Sequence, residues 1–255
     1  MTDKIVWLTD VHITPSGLIN DQPSTARLER AVAEILRWHS DAAACVISGD
    51  LTENGTAEEY AVAAGILADL PMPVLPMAGN HDDRASLRGA LALPDGAMPG
   101  FVQYRVDVGA VTLLCLDTQV PHKPYGRLCA ERLDWLGRAL TGTEGRAVLV
   151  FLHHPPCRLG LGPLDDICLR HPETFLDMIA GRADHLFCGH VHRPTAGTIR
   201  GIPFATQRAL AYQAPRPFPP WTWATFEPAN EQPQYGVILA DAGRIVLQTF
   251  DLPGD

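Results

Sequence analysis

The chain has 255 residues, 46% hydrophobic and 19% charged, with a mean hydropathy of +0.01; it is long and apolar enough to bury a core without disulfides, which excludes general disorder. Twenty Lys and Arg against 29 Asp and Glu leave a formal charge of −9, which sets it against long nucleic acid or anionic lipid as partners but leaves small phosphate compounds open. No apolar run approaches the roughly 18 residues a membrane helix needs, and the opening MTDKIVWLTDVH has no apolar leader. Six cysteines (Cys45, Cys115, Cys129, Cys157, Cys168, Cys188) lie far apart with no C-x-x-C pair, so free thiols in a reducing cytoplasm are expected.

Residues 4–8 predict a first strand, and residues 25–38 a helix with Leu28, Val32, Ile35 and Leu36 on one face. A short apolar strand follows at 43–47. Thr56 and Glu59 form a capping box for a helix to about residue 70. Then come a strand at 74–77, a helix at 84–91, and a hairpin of 102–108 and 111–116 through Gly109 and Ala110. The pattern continues with a helix at 131–140, a strand at 147–152, a Pro-initiated helix at 172–179 and a strand at 185–188. Strands dominate the rest, at 195–200, 203–206, 235–240 and 244–250. This order predicts an α/β fold of two packed mixed β-sheets flanked by helices, in one domain over 1–255, without internal repeats. Residues 213–234, rich in Pro and aromatics, are expected as a surface loop packed by its own aromatics, in preference to a lid or dimer contact; residues 235–252 form a C-terminal hairpin.

Five short clusters follow the ends of predicted strands: Asp10-Val11-His12, Gly49-Asp50, Gly79-Asn80-His81-Asp82, His153-His154 and Gly189-His190-Val191-His192. Open α/β sheets place ligands at these carboxyl ends. Singly, each cluster has an ordinary explanation in a cap, a turn or a hydrogen-bonded histidine. Together they offer three Asp, an Asn and six His with no Cys, more than one metal takes and suited to two metals sharing a bridge.

The order D-x-H, G-D, G-N-H-D, H, G-H-x-H resembles the calcineurin-like metallophosphoesterase superfamily. The stretches VISGDLTENGTAEEY, MAGNHDDRASLRGAL, LCLDTQVPH, FLHHPP and FCGHVHR resemble its bacterial class III cyclic-nucleotide phosphodiesterases and their glycerophosphodiesterase relatives. The likeness runs from about residue 4 to 206 and omits the aromatic-proline stretch. It implies a four-layer αββα sandwich and two metal ions, with Mn, Fe, Co and Zn all acceptable to such a set. It implies that Asp10, His12 and His192 hold one metal, that Asn80, His153 and His190 hold the other, and that Asp50 bridges them. His81 would not be a ligand but would face the leaving group or a phosphate oxygen, and His154 would orient a ligand or fix a loop. Asp82 is equally readable as an imidazole-orienting or a plain turn carboxylate.

The implied function is metal-dependent hydrolysis of a small phosphodiester, a cyclic nucleotide or a glycerophosphodiester, by a metal-bridging hydroxide. Two cations about 3.5–4 Å apart offset the ester's own negative charge. A phosphomonoesterase on the same dimetal site is the alternative. A non-catalytic interaction module would have lost ligands, and here every position is filled; a nuclease is opposed by the −9 charge and the lack of Lys/Arg runs. Arg84, His122, Lys123, Arg158 and Arg193 are candidate substrate contacts, His122 and Arg193 foremost, each also readable as a solvated charge. A homo-oligomer through the C-terminal strands or the Pro-rich stretch is a further expectation.

Overall fold

Strands that are apolar at every position need cover on both faces, and this requirement sets the architecture. The computed structural model describes residues 2–253. One sheet has the order β11-β10-β1-β2-β3: β1 (Asp3–Leu8), β2 (Ala44–Ile47), β3 (Val74–Pro76), β10 (Gln234–Asp241) and β11 (Arg244–Asp251). The other has the order β4-β5-β6-β7-β9-β8: β4 (Tyr104–Val108), β5 (Val111–Leu116), β6 (Ala147–Leu152), β7 (His185–Cys188), β8 (Thr195–Ile199) and β9 (Ile202–Thr206). β1, β2 and β3 run parallel, as do β5, β6, β7 and β9; the edge strands β11, β4 and β8 run antiparallel to their neighbours.

The period of two decides which core each side chain joins. In β6, Leu149 and Phe151 face the first sheet, while Val148, Val150 and Leu152 pack against the helices α4 (Ala130–Ala139) and α5 (Glu173–Ile179). The first sheet is covered in turn by α1 (Ser24–Trp38) and α2 (Ala57–Leu67), whose Leu28, Val32, Ile35, Tyr60 and Ala63 are buried. Between the sheets, Trp7 meets Phe187 edge-on at 5.2 Å and Phe151 at 6.5 Å. The result is the αββα sandwich.

The predicted elements lie within a few residues of the observed ones. The capping box at Thr56 and Glu59 is formed, and α2 ends at Leu67 rather than residue 70. α3 (Arg84–Ala90) is capped by Asp83, whose carboxylate accepts from Ser86 N at 2.8 Å. Leu36 is a correction: it is 38% exposed, whereas Arg27 is buried in α1 and donates to Gln22 Oε1 at 2.6 Å. Two 3-10 turns, Gly162–Ile167 and Trp223–Thr225, gave no periodic signal because they are too short and Pro-flanked. Among the described residues no helix is long and apolar enough to cross a membrane.

Candidate metal centre

The site is built at the carboxyl ends of five strands, where the backbone must turn sharply. Asp10, His12, Asp50, His190 and His192 all have positive φ, from 49° to 74°. Such conformations cost a non-glycine residue about 1–2 kcal/mol each and gather at functional sites. Two glycines of the motifs are needed for space: a Cβ on Gly79 would collide with the Asp50 carboxylate, and one on Gly189 with the Thr9 hydroxyl.

The turns bring all seven expected ligands together. His192 Nε2 lies 3.2 Å from Asp10 Oδ1 and 3.2 Å from His12 Nε2. His153 Nε2 lies 3.2 Å from Asp50 Oδ2, from Asn80 Oδ1 and from His190 Nδ1. Asp50 Oδ2 is also 3.7 Å from His12 Nε2, so this carboxylate stands between the two groups. Asp10 accepts from the backbone N–H of His190 at 3.0 Å and from Thr9 Oγ1 at 2.6 Å.

The outer partners fix the imidazole tautomers. His12 Nδ1 is 2.7 Å from Glu53 Oε2, His192 Nδ1 is 2.8 Å from the Tyr212 carbonyl, and His153 Nδ1 is 2.9 Å from the Ser48 carbonyl. These oxygens only accept, so each Nδ1 carries a proton and each Nε2 turns inward. The Nε2 atoms of His12 and His192 therefore face each other at 3.2 Å, and that of His153 faces two oxygens. A shared proton can join such atoms, and a cation between them would take the same inward nitrogens and oxygens. His190 Nε2 is buried with no hydrogen-bond partner. Burial works against charge on Asp10 and His153, yet His192 holds Asp10 down at about 2 and Asp50 carries His153 up to about 9. Burial, reinforced by His153, pushes His190 down to about 3. A divalent first-row ion takes anionic oxygens and deprotonated imidazole nitrogens, so its binding here would displace the proton that Asp50 holds on His153. The donor set fits two such ions.

His81 sits at the rim. Its backbone N–H donates to Asp50 Oδ1 at 2.9 Å, and its Nδ1 lies 3.0 Å from the Glu53 carbonyl. Burial opposes its charge, but Asp50 and Glu53 raise its pKa. Glu53 thus serves both His12 and His81; the motif pattern did not single it out, because its partner His12 is 41 positions away. His154 stacks near His190 with centroids 4.5 Å apart, bonds Thr118 Oγ1 at 2.8 Å, and packs its ring on Gly126, where a Cβ would clash.

Several other candidates have different places. Asp82 touches no imidazole: it accepts from Gly79 N at 2.9 Å, Tyr60 Oη at 2.7 Å, and Leu51 N and Thr52 N at 3.3 Å, which ties the Asp50 turn to the Asn80 turn. Arg84 is clamped to Asp117 by two bonds of 2.6 and 2.8 Å. Arg158 pairs with Asp166 on the surface, and Lys123 is exposed. Arg193 donates to both Glu231 oxygens at 2.9 Å and to the Ala214 carbonyl at 2.5 Å, so its guanidinium anchors the Pro-rich segment. His122 is exposed and borders a cavity of about 280 Å³ that shares Asn80 and His81 with the centre.

A second cavity, about 260 Å³, opens directly over His12, Asp50, Asn80, His81, His190 and His192. Ala214, Trp223 and Phe226 also line it. The loop expected at 213–234 thus also borders the site. Trp221 and Phe226 do pack among the segment's own neighbours, with Leu161, Leu164 and Val191, but that packing builds one wall of the cavity.

An αββα sandwich with seven oxygen and nitrogen donors at its strand ends defines a dimetal phosphoesterase architecture. The calcineurin-like phosphoesterase pattern matches residues 3–194, and the chain belongs to that family. It is 38% identical over 250 residues to a protein of Rhodopseudomonas palustris named as a probable cyclic nucleotide phosphodiesterase, covering 96% of this chain and 90% of that one. It is 33% identical over 177 residues to a glycerophosphodiester phosphodiesterase of Enterobacter lignolyticus, covering 68% of this chain and 64% of that one. Among solved structures, a dimetal phosphatase from Danio rerio superposes with a TM-score of 0.74 at 15% identity, covering 98% of this chain and 96% of that one.

Proposed function

We propose that the protein is a dinuclear metal-dependent phosphodiesterase acting on small phosphodiesters, cyclic nucleotides or glycerophosphodiesters. The observation that carries this reading is the convergence of the His12, Asn80, His153 and His192 side chains on the Asp10 and Asp50 carboxylates, beside the unpartnered His190 Nε2. The 38% identity to a relative so named supports the diester class. In this reading Asp10, His12 and His192 hold one cation, Asn80, His153 and His190 hold the other, and Asp50 joins them. When bound, the pair supplies charge neutralisation for the phosphoryl group and a nucleophilic oxygen near neutral pH.

The chain's own groups do the rest. Glu53 and the carbonyls of Ser48 and Tyr212 keep three imidazoles in the ligating tautomer. Neutral Asn80 donates an oxygen without adding an anion next to an anionic substrate. His81, with Nδ1–H held by the Glu53 carbonyl, presents Nε2 to the cavity, where a proton on it passes to the departing ester oxygen. His122, exposed at the neighbouring cavity, would meet one arm of the diester. Arg193 has its role through the segment it anchors. The reaction needs no long polymer, in keeping with a cavity of about 260 Å³ and a charge of −9. The buried thiols Cys45, Cys115 and Cys188 suit a reducing cytoplasm, and the edge strand β11 offers a surface for a homo-oligomer.

The test is turnover of bis(p-nitrophenyl) phosphate against p-nitrophenyl phosphate by protein reconstituted with Mn²⁺. The diester should be preferred. A strong preference for the monoester would establish the phosphomonoesterase alternative instead.

A further inference from the structure

The cavity over the metal centre has two unlike sides. One carries the imidazoles and carboxylates; the other is formed by Leu164, Ile167, Val191, Ala214, Trp223 and Phe226. Its aromatic members are continuous with the centre. Tyr212 lies against His192 with centroids 4.5 Å apart and meets Phe226 edge-on at 6.0 Å. Trp223 lies 6.2 Å from Phe226 with the two planes only 32° apart. Trp221, buried behind them, braces Trp223 at 5.6 Å and Phe226 at 5.5 Å.

The wall is also fixed in place. Glu231 gathers Arg193, Arg208 and Arg216 within 3.2 Å, and Arg193 directly follows His192. A bridge pairs Gln213 with Ala229, closing the base of the segment. Yet Trp223 itself is 56% exposed, a large aromatic at the mouth of a cavity with its outer face uncovered. Aromatic faces in such a place take flat π-systems, and they do so with little sequence or ring preference. A polyol arm laid on the same surface would lose water without finding hydrogen-bond partners, since the six wall residues offer almost no polar atoms.

The geometry points to Trp223 and Phe226 as the residues that select the organic arm of the substrate, by stacking on a nucleobase while the diester sits over the metal ligands. This assignment rests on the phosphodiesterase reading and narrows it from small diesters at large to nucleotide diesters. It also gives the 213–234 segment, which the family pattern does not reach, a place in substrate choice.

The experiment compares kcat and KM of the metal-loaded wild type, Trp223→Ala, Phe226→Ala and Trp223→Phe on 3′,5′-cyclic AMP and on glycerophosphoethanolamine. The nucleotide-to-glycerol ratio of kcat/KM should exceed unity in the wild type and fall about tenfold in each Ala variant, through KM of the nucleotide. Trp223→Phe should recover most of the ratio. As a second readout, AMP should quench the tryptophan fluorescence of the wild type, and Trp223→Phe should lose most of that quench. Equal losses on both substrates, or an unchanged ratio, would overturn the assignment and leave the diesterase reading standing. Turnover of neither diester by a wild type that hydrolyses p-nitrophenyl phosphate would instead overturn the reading beneath it.

Discussion

Asp50 has one carboxyl oxygen facing both His12 and His153 and the other accepting the His81 N–H, so it is the residue whose loss disconnects most of the centre. Asp50→Ala should lose bound metal and at least about a hundred-fold in kcat together, read by metal analysis and diester turnover on the same sample. His81→Ala should separate the two: metal content stays, and kcat falls about 10²–10⁴-fold, most for diesters with poor leaving groups. Metal loss on that change would place His81 among the ligands. Glu53→Ala frees the tautomer of His12 and should cost roughly 10–100-fold in metal affinity or activity, measured by metal titration. The seven candidate ligands, which the fold brings together, could be picked out in the sequence because each follows a short apolar strand and the motifs recur in a set order. Glu53 could not, since nothing local distinguishes a carboxylate three residues past Asp50 from a surface charge. The pairing of Arg193 was hidden for the same reason: a cation beside His192 reads as a phosphate contact or a solvated charge until its partner Glu231, 38 positions on, is seen.

At the scale of elements, two clamps hold the site. Asp82 joins the turns after β2 and β3 through buried donors, and its replacement by Ala leaves Gly79 N, Leu51 N and Tyr60 Oη unpaired. Such groups cost about 1–3 kcal/mol each, so Asp82→Ala should lower the melting temperature by several degrees. The second clamp is Glu231. Burial opposes its charge, but Arg193 and Arg216 outweigh burial and lower its pKa from 4.5. Because the folded value is depressed, its contribution is full above about pH 4.5 and is lost as pH falls through the lower folded value. Melting curves from pH 6 to pH 3 should therefore converge for wild type and Glu231→Gln at the acid end; a constant gap would show that this carboxylate does not titrate with stability. Strands and helices were largely legible because their apolar periods of two and 3.6 are strong. The wall at 213–234 was not: its side chains reach the site through long-range contacts that no local period reports.

For the whole molecule, the two sheets act as one frame whose strand ends converge on the donors, and the cost of burying charged and polar groups there is offset by packing such as that of Trp7 against Phe151 and Phe187. Cations that bind the folded chain should return part of that cost. A metal at 100 times its Kd adds about 2.7 kcal/mol, so Mn²⁺ should raise the melting temperature by several degrees and a chelator should reverse the rise. A melting temperature indifferent to Mn²⁺ would mean that the donors are satisfied without it.

The central claim is that this frame gathers seven side chains into a seat for two divalent ions. Its most direct test is the number of ions per chain after reconstitution with excess Mn²⁺ and removal of free metal, measured by plasma mass spectrometry beside Asp50→Ala. The predicted result is two per wild-type chain, with at most one retained by the variant. A wild-type value at or below one, unchanged by Asp50→Ala, would contradict it.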